Sequence, residues 1–366
     1  MIPAAVTTRY PADHARAWVD IDLDAIVANA QTIASRAGRP LLPMVKANAY
    51  GLGAVPVARA LEQVDPWGFG VATTSEAAEL RAAGIDRRLI VFTPLQPAGM
   101  AEWEAVSARP VIGDAAALVA WTERTAAPFH VEIDTGMSRS GFRWNDEASL
   151  REVIPRLHSA PGFEGIFTHF HSSDCDAATT AQQWDRFQSV VEQLSTRPPV
   201  VHAANSAASL AGSRFAGDLV RPGIFLYGGA TVSEAAPAPV AALRAPVVAL
   251  RRIERGDTVS YGGTWRAAAP TTVATLGIGY ADGVLRSLSG SGQVELGGRL
   301  RPIIGRVTMD LTMIEVSDHD VRLGDVATVY GGMVTLDAQA TAAGTISYEL
   351  LTALGSRVPR RYRGGA

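Results

Sequence analysis

Lysine is almost missing from this chain. Of its 33 basic residues one is a lysine, Lys46, and the other 32 are arginines. Cysteine is as scarce. Cys175 stands alone, which excludes an internal disulfide framework and fits a reducing compartment. No run of about 18 apolar residues occurs, so no membrane span is expected. The stretch MIPAAVTTRYPADHARAW has no apolar h-region and is not expected to be a signal peptide, so a cytoplasmic location is expected. There is no GxGxxG and no P-loop to suggest nucleotide binding. With a net charge of -3 and both signs interspersed, neither a nucleic-acid partner nor a charged disordered tail is expected.

What is present is the material of a globular protein. The chain has 366 residues, 47% hydrophobic and 19% charged. From Pro40 to about Gly229, short apolar runs alternate with Ala- and Leu-rich stretches at helical spacing. Eight runs read as strands: LLPMVKA, WGFGVAT, LIVFTP, RPVIG, FHVEIDTG, FEGIFTHF, VVHAAN and GIFLYG. Between two of them, TTSEAAELRAAG opens on a capping signal and ends at a glycine, as a helix should. Strand–helix alternation implies a parallel sheet. Eight units in about 200 residues fit a (β/α)8 barrel, although pattern alone does not separate it from a doubly wound open sheet. After Gly229, the Pro/Ala-rich TVSEAAPAPVAAL reads as a linker. Beyond it, Val-, Ile- and Thr-rich runs broken by glycine read as a mostly antiparallel β domain, with a last helix over SYELLTALGSR. We expect a barrel over residues 15–235 and a β domain over 236–366.

Lys46 falls at the end of the first expected strand, and barrels of this kind carry their chemistry at the C-terminal strand ends. An amine can lose its proton and form a Schiff base with an aldehyde; a guanidinium cannot. Compositional drift could also leave one lysine behind. The strand-end position favours a functional amine, and the following KANAYGLG lets backbone approach a ligand closely.

The motifs VKANAYGLG, DTGMSRSGF, HAANSAAS, VRPGIFLYG, VSYGGTWRA, GIGYADG, GRVTMDLTMIEV and TISYELL, in this order over almost the whole chain, closely resemble those of the alanine racemases. The resemblance implies a pyridoxal-phosphate enzyme with an N-terminal (β/α)8 barrel and a C-terminal β domain. It also implies that an N-terminal strand within residues 1–24, near AWVDIDL, joins the second domain. The expected reaction interconverts L- and D-alanine, with D-alanine supplied to peptidoglycan.

That resemblance assigns the site residues. Lys46 is similar to the cofactor anchor. Tyr50, Ser206, Tyr348 and the backbone N–H groups of Gly223 and Ile224 match the phosphate cradle, where hydroxyls and backbone donors suit a dianion. Arg221 matches the arginine facing the pyridine nitrogen. It holds its protons, donates, and leaves that nitrogen unprotonated, so the ring is a poorer electron sink. His169 and His202 match the hydrogen-bond network around it. Arg139 is similar to the arginine that contacts the cofactor's phenolic oxygen and the substrate carboxylate. Met309 matches a backbone donor to that carboxylate, and Tyr280 a tyrosine lining the site. Racemisation needs a proton taken from one face of Cα and returned to the other. Lys46 would serve the D face and Tyr261 the L face. Tyr261 and Met309 would come from the partner chain of a head-to-tail homodimer. Asp174, Arg286, Arg306 and Ile346 match an entrance corridor.

The chain departs from the family at Glu132. Many members carry a carbamylated lysine there, and Glu132 is already an anion able to hold Arg139. The family often has histidine where Leu52 stands. HFHSSDCD gathers His169, His171, Asp174, Cys175 and Asp176, but no second cluster completes a zinc site, and no metal is expected. Three rival functions remain: a broader-specificity or serine racemase, a decarboxylase, which would want a better electron sink than Arg221 allows, and a non-catalytic pyridoxal-phosphate carrier, which would lack the β domain.

Overall fold

The computed structural model describes residues 16–232, 235–317 and 320–365. They fall into two compact units, one built from Ile26–Ala238 and the other from residues 16–25 together with Pro239–Gly364. The expected N-terminal strand lies in the second unit as Trp18–Asp22, and residues 1–15 are outside the described residues.

The first unit is a closed parallel barrel. Gly68–Val71, Arg88–Pro94, Arg109–Ile112, Phe129–Asp134, Phe163–Phe167 and Val200–His202 pair in that order, each parallel to the next. Parallel bridges Leu41↔Val220, Met44↔Gly70 and His202↔Leu219 close the ring through residues 41–44 and 219–220. Both faces of such strands are covered, so they read as unbroken apolar runs. Leu42, Ile90, Val111, Phe167, Val200 and Leu219 form a buried cluster. The helices between strands start where short polar side chains take up free backbone N–H groups: Asp114, Asp146, Asp176 and Asn205 each accept from the N–H three residues on.

One expected strand is corrected. GIFLYG is not the eighth strand; Ile224–Tyr227 is a 3-10 turn whose four residues are all buried. The eighth segment of the ring lies just before it, at residues 219–220. A short buried apolar run has the same pattern in either conformation. The turn ends at Gly228, whose φ of 87° belongs to the left-handed region.

The second unit is built around one long strand, Ala241–Ile253. It pairs antiparallel with Trp18–Asp22, Val326–Tyr330 and Thr271–Leu276. Gln293–Leu296 and Arg299–Pro302 form a hairpin, and Thr312–Glu315 joins Thr271–Leu276. One pair is parallel, Trp18–Asp22 with Arg360–Arg363, in a strand that sequence pattern did not suggest. A helix over Leu336–Ala342 was not expected, and the expected last helix covers Ser347–Thr352. No helix among the described residues is long and apolar enough to cross a membrane.

Candidate active site

Lys46 follows the first barrel segment directly and opens an unusual turn. Ala47, Asn48, Ala49 and Tyr50 have φ of 52°, 54°, 51° and 55°. They form one turn of left-handed helix without glycine, which costs roughly 1–2 kcal/mol per residue. Backbone bonds Ala49→Val45, Gly51→Ala47 and Gly53→Asn48, each 2.8 Å, hold it closed. Glu76 holds it from outside. Its carboxylate accepts from Ala47 N–H at 2.7 Å and from Ala72 N–H at 2.6 Å, while it also completes the capping box with Thr73. The capping signal was legible in the sequence; this second duty was not. Truncating Glu76 to alanine strips acceptors from both segments, and thermal or denaturant unfolding should show a loss of about 1–3 kcal/mol.

The Lys46 amine is half-buried. Burial pushes it below its ordinary 10.5, Arg139 pushes it further, Glu76 opposes, and Arg221 adds to the lowering. A depressed base is neutral over a wider range of pH. Because no second lysine competes, amine-selective labelling read at the Lys46 peptide can follow its titration apart from the α-amino group. The midpoint should fall below 10.5.

Arg221 is buried and heavily used. Its Nη2 donates to the carbonyls of Thr168 at 2.8 Å and Ala203 at 2.9 Å, and it reaches His169 Nδ1 at 3.4 Å. Its Nη1 meets His202 Nδ1 at 2.7 Å. Neither Nε–H nor the second Nη1 hydrogen has an acceptor among the described residues, so the guanidinium keeps capacity to donate to a further group. Burial pushes it down to about 9, with Glu132 opposing and Arg139 assisting, which leaves it protonated at neutral pH. Burial and then Arg221, Arg139 and Lys46 hold His169 down at about 3. Beyond His202 lie two residues that the sequence reading missed, His130 and Glu164. His202 Nε2 lies 2.9 Å from His130 Nδ1, and His130 Nε2 lies 3.1 Å from Glu164.

Tyr50, Ser206 and Gly223 converge. A Cβ on Gly223 would lie 2.3 Å from the Tyr50 hydroxyl, so this close approach requires glycine. Gly223 N–H donates to Ser206 Oγ at 2.8 Å, and Ile224 N–H, at the start of its turn, has no acceptor among the described residues. Tyr50 stacks on Tyr227 with ring centroids 4.5 Å apart, and Tyr227 donates to the carbonyl of Met44.

Glu132 is buried on Phe129–Asp134 and accepts from Ser140 Oγ at 2.6 Å. The expected direct hold on Arg139 is not seen: among the described residues no hydrogen bond or ion pair joins Glu132 to Arg139, and the partner of Glu132 is Ser140, the residue after Arg139. Asp134 ties the loop by accepting from Gly136 and Ser138 N–H. Gln183, fully buried, donates to the carbonyl of His169 and to Thr135, a second anchor that the sequence reading missed. The HFHSSDCD residues serve other ends: His171 contacts Ser172, Asp176 caps a helix, and Asp174 is exposed.

The remaining expected residues lie in the second unit. Tyr261 is 73% exposed and Met309 53%. Ser260, with φ of 65°, bonds the carbonyl of Arg306 just before Tyr261. Tyr280 N–H bonds the carbonyl of Thr308, and Ala281 N–H that of Met309, so those two loops run together. Tyr348 and Ile346 are exposed, and Arg286 opens a 3-10 turn.

Residues 21–231 match the family described as alanine racemase, N-terminal domain, and residues 240–362 match alanine racemase, C-terminal domain. An alanine racemase of Acidiphilium cryptum is 40% identical over 350 residues, 93% of this chain and 97% of that one. One of Deinococcus radiodurans is 38% identical over 94% of this chain and 99% of its own. The crystal structure of the biosynthetic alanine racemase from Pseudomonas aeruginosa superposes with a TM-score of 0.88 at 34% identity, covering 95% of this chain and 99% of that one. The Bartonella henselae alanine racemase, solved with covalently bound pyridoxal phosphate, gives 0.89 at 32% identity over 95% of this chain and 100% of its own.

Proposed function

The chain belongs to the alanine racemase family and is an isomerase, and from that premise we propose that it interconverts L- and D-alanine on pyridoxal phosphate with Lys46 and Tyr261 as opposite-face bases. The observation that carries the proposal is Lys46: the one lysine of the chain, at a barrel strand end, with a depressed proton affinity. The cofactor, when bound, supplies the electron sink that makes an alanine Cα proton removable. The residues present fit it. Lys46 would anchor it, Tyr50, Ser206, Ile224 N–H and Tyr348 would hold its phosphate, and the spare donors of Arg221 suit a ring nitrogen that keeps its lone pair. Arg139 and Met309 N–H would orient the substrate carboxylate. Lys46 Nζ takes or returns a proton on the D face; Tyr261 Oη does so on the L face.

The exposure of Tyr261 and Met309 supports a head-to-tail homodimer in which each completes the site of a second copy. A supply of D-alanine for peptidoglycan, in the cytoplasm, follows from the same reading. Borohydride reduction of the loaded protein, peptide mapping and an assay for D-alanine from L-alanine test it. A pyridoxyl group on Lys46 is expected, and its absence would sink the proposal.

Glu132 gives a further check. With a carboxylate already in place and no lysine beside it, activity should not change when bicarbonate is added or removed. A rise with carbon dioxide supply would contradict this.

A further inference from the structure

His130 is fully buried in the barrel and lacks any part in the reaction just described. Its setting is built for it. A Cβ on Gly165 would lie 2.3 Å from His130 Nδ1, so the neighbouring strand leaves room for the ring only by having glycine there. Glu164, the residue before that glycine, is held by two bonds from Arg109 as well as by His130.

We infer that His130 and Glu164 are positioning residues for Arg221: a one-way chain of donated hydrogen bonds, Arg221→His202→His130→Glu164, holds the guanidinium in orientation toward the group it faces. The inference rests on the proposed function for the identity of that group. Its direction follows from the atoms. A guanidinium cannot accept, so His202 Nδ1, 2.7 Å from Arg221 Nη1, must. A neutral His202 then carries its hydrogen on Nε2 and donates to His130 Nδ1 at 2.9 Å. His130 in turn carries its hydrogen on Nε2 and donates to the Glu164 carboxylate at 3.1 Å. Run the other way, the chain would aim an N–H at Arg221.

The charges agree. Burial lowers both imidazoles, His202 strongly and His130 against the opposition of Glu164, and so favours the neutral form that the hydrogen-bond geometry requires. Burial alone would raise Glu164, but His130 and Arg109 outweigh it and hold the carboxylate at about 2. An acceptor-only anion therefore ends the chain at every ordinary pH. Were Glu164 neutral, His130 Nε2–H would lose its charged acceptor, and the far end of the chain would hold the His130 ring, and through it His202, less firmly.

The first test reads tautomers in the full-length protein without cofactor, labelled with 15N-histidine. Pyridine-type Nδ1 and pyrrole-type Nε2 signals are expected for both His130 and His202, unchanged between about pH 6 and pH 8. A hydrogen on Nδ1 of His202, or a doubly protonated His130, would overturn the chain. The second test is Glu164→Gln, which keeps the shape and loses the charge. Its His130 signals should shift or broaden as the ring loses its anionic acceptor, whereas His202 should keep Nδ1 as the acceptor that Arg221 requires. In the loaded enzyme kcat should drop on the order of 10-fold with KM little changed, and Glu164→Asp should restore part of it. Unaltered imidazole signals and kcat in Glu164→Gln would refute the positioning role. If that variant does not fold, the spectrum of the unmodified protein decides. Failure to bind pyridoxal phosphate would sink the proposed function and leave the chain to the cofactor-free spectrum.

Discussion

Lys46→Ala protein is expected to fold, to hold no cofactor against dialysis, and to lose racemase activity by at least roughly 10⁴-fold, as measured by D-alanine formed from L-alanine. Two duties fall together at one atom: covalent anchorage and proton transfer on one face. The chain offers no second lysine as a substitute, since the other 32 Lys-or-Arg positions are arginines. Lys46→Arg should be as inactive, because a guanidinium stays charged and forms no stable imine. An active Lys46→Arg enzyme would refute both duties. Fold should survive because the Lys46 amine makes no hydrogen bond that the surrounding turn needs. That turn is closed by its own backbone and by Glu76.

Tyr261 carries the second large effect. Tyr261→Phe should lower kcat by roughly 10²–10⁴-fold, since the hydroxyl is the only group removed and a positioned acid–base contributes that much. Cα exchange with solvent should persist from D-alanine better than from L-alanine, because Lys46 still serves its own face. Mixing gives the sharper result. If each site takes Lys46 from one chain and Tyr261 from the other, co-refolded Lys46→Ala and Tyr261→Phe chains form hybrid dimers with one intact site apiece. Random pairing then restores about a quarter of wild-type activity. Sites built within one chain would restore none. A non-catalytic carrier would retain cofactor in the Tyr261 variant and show no activity to lose.

Much of the barrel was legible because buried parallel strands leave unbroken apolar runs between capped helices, and seven of the eight expected strands lie in the ring. The eighth was misread because GIFLYG is equally apolar as a turn. Pairing at residues 219–220, which closes the ring, is too short to leave any period. The handedness of the Lys46 turn was invisible, since helix propensity says nothing about hand in a run as helix-friendly as KANAY. His130 and Glu164 escaped for another reason: a single histidine or glutamate on a strand looks like an ordinary structural residue. A signal was present. His130, Glu132 and Asp134 alternate along one buried strand, and three ionisable residues at a period of two in a core strand need partners.

The left-handed turn after Lys46 also reverses the usual rules of substitution. On ordinary helical segments alanine is the best residue and glycine among the worst. At positions 47 and 49 the backbone runs in the mirror sense, so the Cβ of each alanine is the source of the cost. There glycine escapes the clash, and a residue of D configuration, placed by chemical ligation, would rest in its own preferred hand. A segment that orients the lysine of a racemase is thus shaped for the enantiomer that ribosomal synthesis cannot insert.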